Sequence, residues 1–315
     1  MALMARSDPP IQTAVETEDN PARTGLIHAL CAYTIWGFMP LFFKQLVEIN
    51  ALEVVAHRIV WSVPLLLLIL WQRKRLGEFY RVMRDPKTLR LMLISSALIA
   101  TNWLIYIWAI YQNQILAASL GYYLNPLLNV VLGYFFLSER LKPVQWLAVA
   151  MAAAGVAVLA VETLATIWVS LALAASFGLY GMVRKVAPVK SVPGLTAETT
   201  LLLPIAAAFA GWAFLYDASP GFGYSLRTDI YLVLGGAITA TPLLFFASAA
   251  KRLSLATLGF VQYIGPTIQF LLGVFLYEEP LTTSHLICFG LIWAALIIYS
   301  GDALLTARKA LRAKA

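Results

Sequence analysis

Three ionisable side chains stand where apolar ones dominate. His57 and Arg58 lie about two helical turns inside the apolar run 51–72, and Glu198 stands at the head of the run 199–216. A charge within such a run faces a partner or a water-filled path, because hydrocarbon solvates it poorly. The long stem of Arg58 also allows it to snorkel to the nearer headgroups, and the sequence leaves both readings open. All three are candidate gate charges. His57 and Glu198, which titrate closer to neutrality, are also candidate proton-coupling groups.

Two prolines mark a second kind of chemistry. Pro126 and Pro266 each fall in the middle of an apolar run, 115–137 and 256–277. Proline lacks the amide hydrogen and crowds the preceding turn, so it frees the carbonyls of Tyr122 and Gln262, four residues earlier. In hydrocarbon a freed carbonyl is satisfied by protein, by water or by a bound solute. Around the prolines stand Tyr123, Asn125, Asn129, Tyr263 and Gln269, while Asn102 and Tyr106, four apart, share one face of the run 89–112. Asn102, Tyr106, Tyr122, Tyr123, Asn125, Pro126, Gln262, Tyr263, Pro266 and Gln269 are therefore the expected lining of a solute cavity. Packing kinks and interhelical hydrogen bonds are the other reading of the same residues. Trp103 stands with Asn102 and Tyr106 in the third run, and a lipid-facing position is the alternative reading of Trp103 and Trp108.

The elements that must position these groups follow from composition. Of 315 residues 61% are hydrophobic and only 12% charged, against roughly half and a quarter in a soluble chain. No water-soluble core hides that much apolar surface. A helix needs about 20 apolar residues to cross the bilayer, and ten such runs occur: 25–46, 51–72, 89–112, 115–137, 144–161, 164–183, 199–216, 230–250, 256–277 and 281–305. The expected fold class is thus an all-α integral membrane protein of ten transmembrane helices.

Charge sets the orientation. With the amino terminus inside, twenty of the twenty-three Lys and Arg fall in cytoplasmic segments, while the outer side keeps Lys44 and Arg227 and Arg58 lies within a span. Both termini are expected to be cytoplasmic, in a multi-pass protein of the cell inner membrane. The net charge of +7 therefore marks topology, and no nucleic-acid partner is expected. Residues 1–24 read as a disordered polar tail without the pattern of a signal peptide, and 306–315 as a basic carboxyl-terminal tail.

Displacing the chain on itself by 140 positions superposes Tyr123, Pro126, Gly133 and Glu139 on Tyr263, Pro266, Gly273 and Glu279, and Ala100-Thr101 on Ala240-Thr241. With one residue inserted, Trp36-Gly37 falls on Phe177-Gly178. The repeats are 25–163 and 164–305, each of five spans. Because five is odd, the second copy is inverted in the membrane, an arrangement suited to alternating access. Arg58 and Glu198 are equivalent positions, and inversion sends them toward opposite surfaces, so no direct pairing is expected.

The stretches Tyr33-Thr34-Ile35-Trp36-Gly37, Ala56-His57-Arg58-Ile59-Val60-Trp61-Ser62, Asn102-Trp103, Gly121-Tyr122-Tyr123-Leu124-Asn125-Pro126 and Gly259-Phe260-Val261-Gln262-Tyr263-Ile264-Gly265-Pro266 resemble the EamA group of the drug/metabolite transporter superfamily. The resemblance runs from Gly25 to Leu305. It implies ten helices in two inverted five-helix repeats around a central cavity, and inner-membrane permease activity, without supplying a substrate; the function expected for the chain is movement of a small metabolite or drug by alternating access, as efflux.

Other classes fit less well. HExxH, GxSxG and GxxxxGK[ST] are absent from the sequence, as are Cys/His metal spacings around Cys31 and Cys288, so neither an enzyme nor a metal or other cofactor is expected. A passive channel and a non-transporting membrane assembly protein are the alternatives. The expected partners are the lipid bilayer and a small-molecule substrate, with a second copy of the chain as a homodimer.

Overall fold

A computed structural model describes residues 21–137, 142–162, 164–216, 221–250, 252–253 and 261–312. Most of the amino-terminal tail, the Glu139 region and the start of the ninth run lie outside these residues. Helices make up the described elements, and no strand occurs among them.

The chain opens with α1 (Pro21–Gly37), so Pro21 to Thr24, expected in the tail, already belong to the helix. After α2 (Met39–Phe43) and a 3-10 turn (Lys44–Leu46), α3 (Ala51–Gln72) starts at Asn50, whose side chain accepts from Leu52 N. That bond satisfies one of the amide groups a helix start leaves unpaired. A short amphipathic helix, α4 (Leu76–Arg84), lies within the basic stretch and buries Phe79 and Val82. Asp85 caps α5 (Pro86–Tyr111) by accepting from Thr88 N, with Pro86 in the first turn, where its missing N–H costs nothing. The remaining helices are α6 (Ile115–Leu137), α7 (Pro143–Glu162), α8 (Leu164–Val186), α9 (Ser191–Tyr216), α10 (Leu226–Ala250), α11 (Ile264–Leu271) and α12 (Thr283–Arg312). The helix α12 carries the backbone through 306–312, part of the expected tail.

Seven helices are long and apolar enough to cross a bilayer, and α1 with Met39–Leu46, bent by 40°, makes an eighth. The ten expected runs exceed this by two. The shorter pair, Ile115–Leu128 and Ile264–Leu276, contains Pro126 and Pro266. One boundary changes a functional reading. The helix α9 begins at Ser191 rather than at Thr199, because Pro193 is tolerated in a first turn. Glu198 therefore sits about two turns inside the helix instead of at its head.

Packing sets α3 against α9 and α10, α5 and α6 against α8, α1 against α10 and α11, α6 against α11, and α7 against α12. The helices α3 and α5 end on residues in the left-handed region, Lys74 and Asn113, both with φ of 54°. These tight stops return the chain at once, with Arg75 N donating to Leu70 O and Gln114 N to Ala109 O. At Glu278, φ 50°, the same turn follows the π-helical segment Leu272–Leu276, and Glu279 N donates to Gly273 O.

Candidate functional site

The helices α1, α2, α3, α5, α6, α8, α10 and α11 line a partly open cavity of about 120 Å³. Of the expected residues it brings together Arg58, Asn102, Tyr106, Tyr122, Gln262, Pro266 and Gln269.

Arg58 enters from α3 and is only 3% exposed. Snorkelling is thereby excluded: the side chain runs inward, because polar and aromatic partners lie inside. Its Nε donates to Thr239 Oγ1 at 2.9 Å, and its guanidinium lies 5.0 Å from the Phe43 ring centroid and 4.8 Å from that of Trp103. A planar cation between aromatic rings regains part of its lost hydration through the ring quadrupoles. Trp103 accordingly lines the cavity, contrary to the lipid-facing alternative, whereas Trp108 packs on Trp168 at 5.3 Å between ring centroids.

Asn102 ties three helices together. Its Nδ2 donates to Leu173 O and to Ser176 Oγ on α8, and its Oδ1 accepts from the Tyr122 hydroxyl on α6. Gln269 Nε2 donates to Trp36 O at 3.0 Å, which fixes the amide and leaves Oε1 without a hydrogen-bond partner. Among the described residues the Tyr106 hydroxyl and Arg58 Nη1 also lack partners. The three residues are 3 to 5% exposed and line one cavity. Buried polar groups are nearly always paired, so three unpaired ones around a single space are unusual, and they leave donor and acceptor capacity directed at it.

The other expected residues lie elsewhere. The Tyr123 hydroxyl shares a hydrogen bond with Thr267 Oγ1 at 2.6 Å, and its ring packs on Tyr263, Phe289 and Trp293. Asn125 is fully buried with both amide atoms unpaired, and Pro126 is interior to α6; neither they nor Tyr123 and Tyr263 belong to the lining just described. His57 stacks on Phe222 at 5.2 Å, with Nε2 3.9 Å from Glu53 Oε1. Glu53 also accepts from Gly221 N at 2.8 Å, closing the loop before α10 over this end of α3.

Glu198, 0% exposed, holds a separate network. Its carboxylate lies 3.4 Å from Arg184 Nη1 and accepts from Ser95 Oγ and the Tyr180 hydroxyl. Arg58 and Glu198 thus have different partners. The acid of the α11–α12 loop, Glu279, accepts from both Ile115 N and Leu116 N at the start of α6. Burial raises its carboxyl above the usual range, against the pull of those amides and of Lys44.

Sequence reasoning missed Trp36, Phe177 and Thr239 in the lining, and Ser95, Tyr180 and Arg184 around Glu198. The first two carried a signal, since they superpose in the internal repeat. Thr239 carried none, because a threonine in an apolar helix most often bonds its own backbone, as this one does to Gly235 O.

A bundle of membrane-length helices around a cavity with unpaired polar groups defines a polytopic membrane protein of transporter class. The EamA-like transporter family model matches residues 23–161. An uncharacterized transporter of Vibrio cholerae is 45% identical over 94% of this chain and 98% of its own. The protein RarD of Escherichia coli is 39% identical over 91% of this chain and 97% of its own. The chloramphenicol-sensitive protein RarD of Pseudomonas aeruginosa is 32% identical over 91% and 97%. The chain belongs to the EamA-like transporter family and is of the RarD type within it. A solved crystal structure, 20% identical, covers 88% of this chain and 97% of its own at a TM-score of 0.59, a likeness of fold.

Proposed function

We propose that the protein is a secondary carrier of the cell inner membrane that moves a small metabolite or drug through this cavity by alternating access. Both termini are cytoplasmic in this reading, and ten helices form two inverted repeats.

The observation that carries it is a pair of mirrored contacts at the cavity's flanks. A methyl added at Gly37 on α1 would meet Ile268 on α11 at 2.8 Å, and one added at Gly178 on α8 would meet Leu128 on α6 at 2.8 Å. Gly37 and Gly178 are equivalent in the repeat, and so are Leu128 and Ile268. The larger packing follows the same rule: α1 on α10 has its counterpart in α5 on α8, and α3 on α10 in α9 on α5. Such quasi-symmetry supports an inverted repeat, whose two halves can exchange conformations and expose one site to either side. The Glu198–Arg184 network and the Glu53–His57–Phe222 cluster then serve as gates on opposite sides of the cavity.

Counterflow in proteoliposomes tests the reading. A carrier loaded with unlabelled solute accumulates the labelled form transiently, whereas a passive channel equilibrates without that overshoot, and an assembly protein moves nothing.

A further inference from the structure

We propose that the solute of this cavity is an organic monoanion: a carboxylate on an aromatic or branched apolar body, with no positive charge of its own, held through Arg58. The inference rests on the cavity's being the transport site and specifies what it takes.

Among the described residues Arg58 is a buried cation without a counter-ion. No carboxylate among the described residues lies within ion-pair distance of it, and no Asp or Glu among them lines the cavity. The buried acids among the described residues are engaged elsewhere, Glu53 with Gly221 N, Glu198 with Arg184 and Ser95, and Glu279 with Ile115 N and Leu116 N. Phe43 and Trp103 cover the guanidinium, and Thr239 takes Nε, which leaves Nη1 as a free donor. Arginine binds carboxylates through such an edge, and an unpaired buried charge is costly enough that an incoming anion gains strongly.

Charge matching narrows the class. Among the described residues Arg58 is the one Lys, Arg or His in the lining, so a dianionic phosphoester would stay half compensated. Without a lining carboxylate among the described residues an α-ammonium also finds no counter-charge, which disfavours free amino acids. Trp36, Phe177, Phe246 and Leu243 give an apolar wall for the body of the solute. Gln269 Oε1 and the Tyr106 hydroxyl remain to accept from a hydroxyl or amide N–H on it.

The test uses the purified full-length protein with phenylacetate, para-hydroxyphenylacetate and isocaproate, each beside its amide, and with phenylalanine and phenyl phosphate. The three acids are expected to raise the melting temperature by binding the native state, and their amides, phenylalanine and phenyl phosphate to leave it unchanged. Folded Arg58→Gln should bind the acids about thirtyfold or more weakly, as loss of one partner of a buried charge pair implies. A second readout needs no variant: wild-type binding of phenylacetate should fall as pH drops below the acid's own pKa, since only the ionised form is recognised. Equal binding of amides or phenylalanine, retention of acid binding by folded Arg58→Gln, or failure of every acid to bind overturns the proposal. Counterflow separates it from the carrier reading. Acids that bind but are not exchanged would sink the carrier and leave the anion site, while exchange of amides as fast as acids does the reverse.

Discussion

Thr239 Oγ1 accepts from Arg58 Nε at 2.9 Å while donating its own proton to Gly235 O at 2.7 Å, so the threonine's lone pair is held toward the arginine. One hydroxyl thereby fixes the direction of the buried cation in the cavity. Thr239→Val keeps the shape and removes the acceptor. Solute affinity is expected to fall about tenfold, the scale of one hydrogen bond to a charged group, with the amount of protein in the membrane unchanged. Titration of the purified variant measures it.

Glu198 and Arg184 form an ion pair whose acid is fully buried. Removing the arginine strands a charge, so Arg184→Met should destabilise the protein by about 3 kcal/mol. Adding Glu198→Gln should recover much of the loss, because the amide still bonds Ser95 and Tyr180. Thermal melts of the single and double variants give the coupling.

Gly37→Ala and Gly178→Ala should each cost about 1 to 3 kcal/mol, since the added methyl meets Ile268 or Leu128 inside contact distance. The larger penalty is expected at Gly37, where the methyl meets the Cβ of Ile268, and the smaller at Gly178, where it meets the mobile Cδ2 end of Leu128. Thermal melts of the two variants check it, and a cost confined to Gly178→Ala would contradict this reading of the contacts.

Two acids outside the spans predict opposite responses to pH. Glu78 is lowered by its hydrogen bond to Lys190, so its contribution, present at neutral pH, is lost as pH falls through its folded value. Both side chains are substantially exposed, and salt should screen an effect of roughly half a kcal/mol. Glu279 is raised by burial, so the folded state takes up its proton more readily than the unfolded one and gains stability as pH falls through the folded value. Glu279→Gln should flatten that rise in melting temperature; a steeper rise would contradict the assignment.

In a background lacking Cys31 and Cys288, a thiol reagent that cannot cross membranes should label Tyr224→Cys, in the loop before α10, in intact cells. Gly77→Cys, on α4 with open space around it, should label only after lysis. The reverse pattern would invert the topology argued from the basic residues.

Much of the architecture is legible in the amino-acid order. Membrane class, the helices' approximate extents and the proline-centred faces follow from apolar length and from proline's missing donor, which are local properties of the chain. Family membership is legible as well, through stretches such as Gly121-Tyr122-Tyr123-Leu124-Asn125-Pro126. The extent of α9 is not, because Pro193 suggests a boundary yet is accepted in a first turn.

What sequence alone determined is where the polar groups lie along each helix. Which of them meet was decided by tertiary packing: Arg58 and Thr239 are 181 positions apart, Gln269 and Trp36 233, and no periodicity links them. A helix repeats its own face every few residues, but its rotation about its axis is set by the neighbours it packs against. That rotation turned Trp103 from the lipid onto Arg58, left Tyr123 bonded to Thr267 outside the cavity, and gathered three unpaired polar groups around one space.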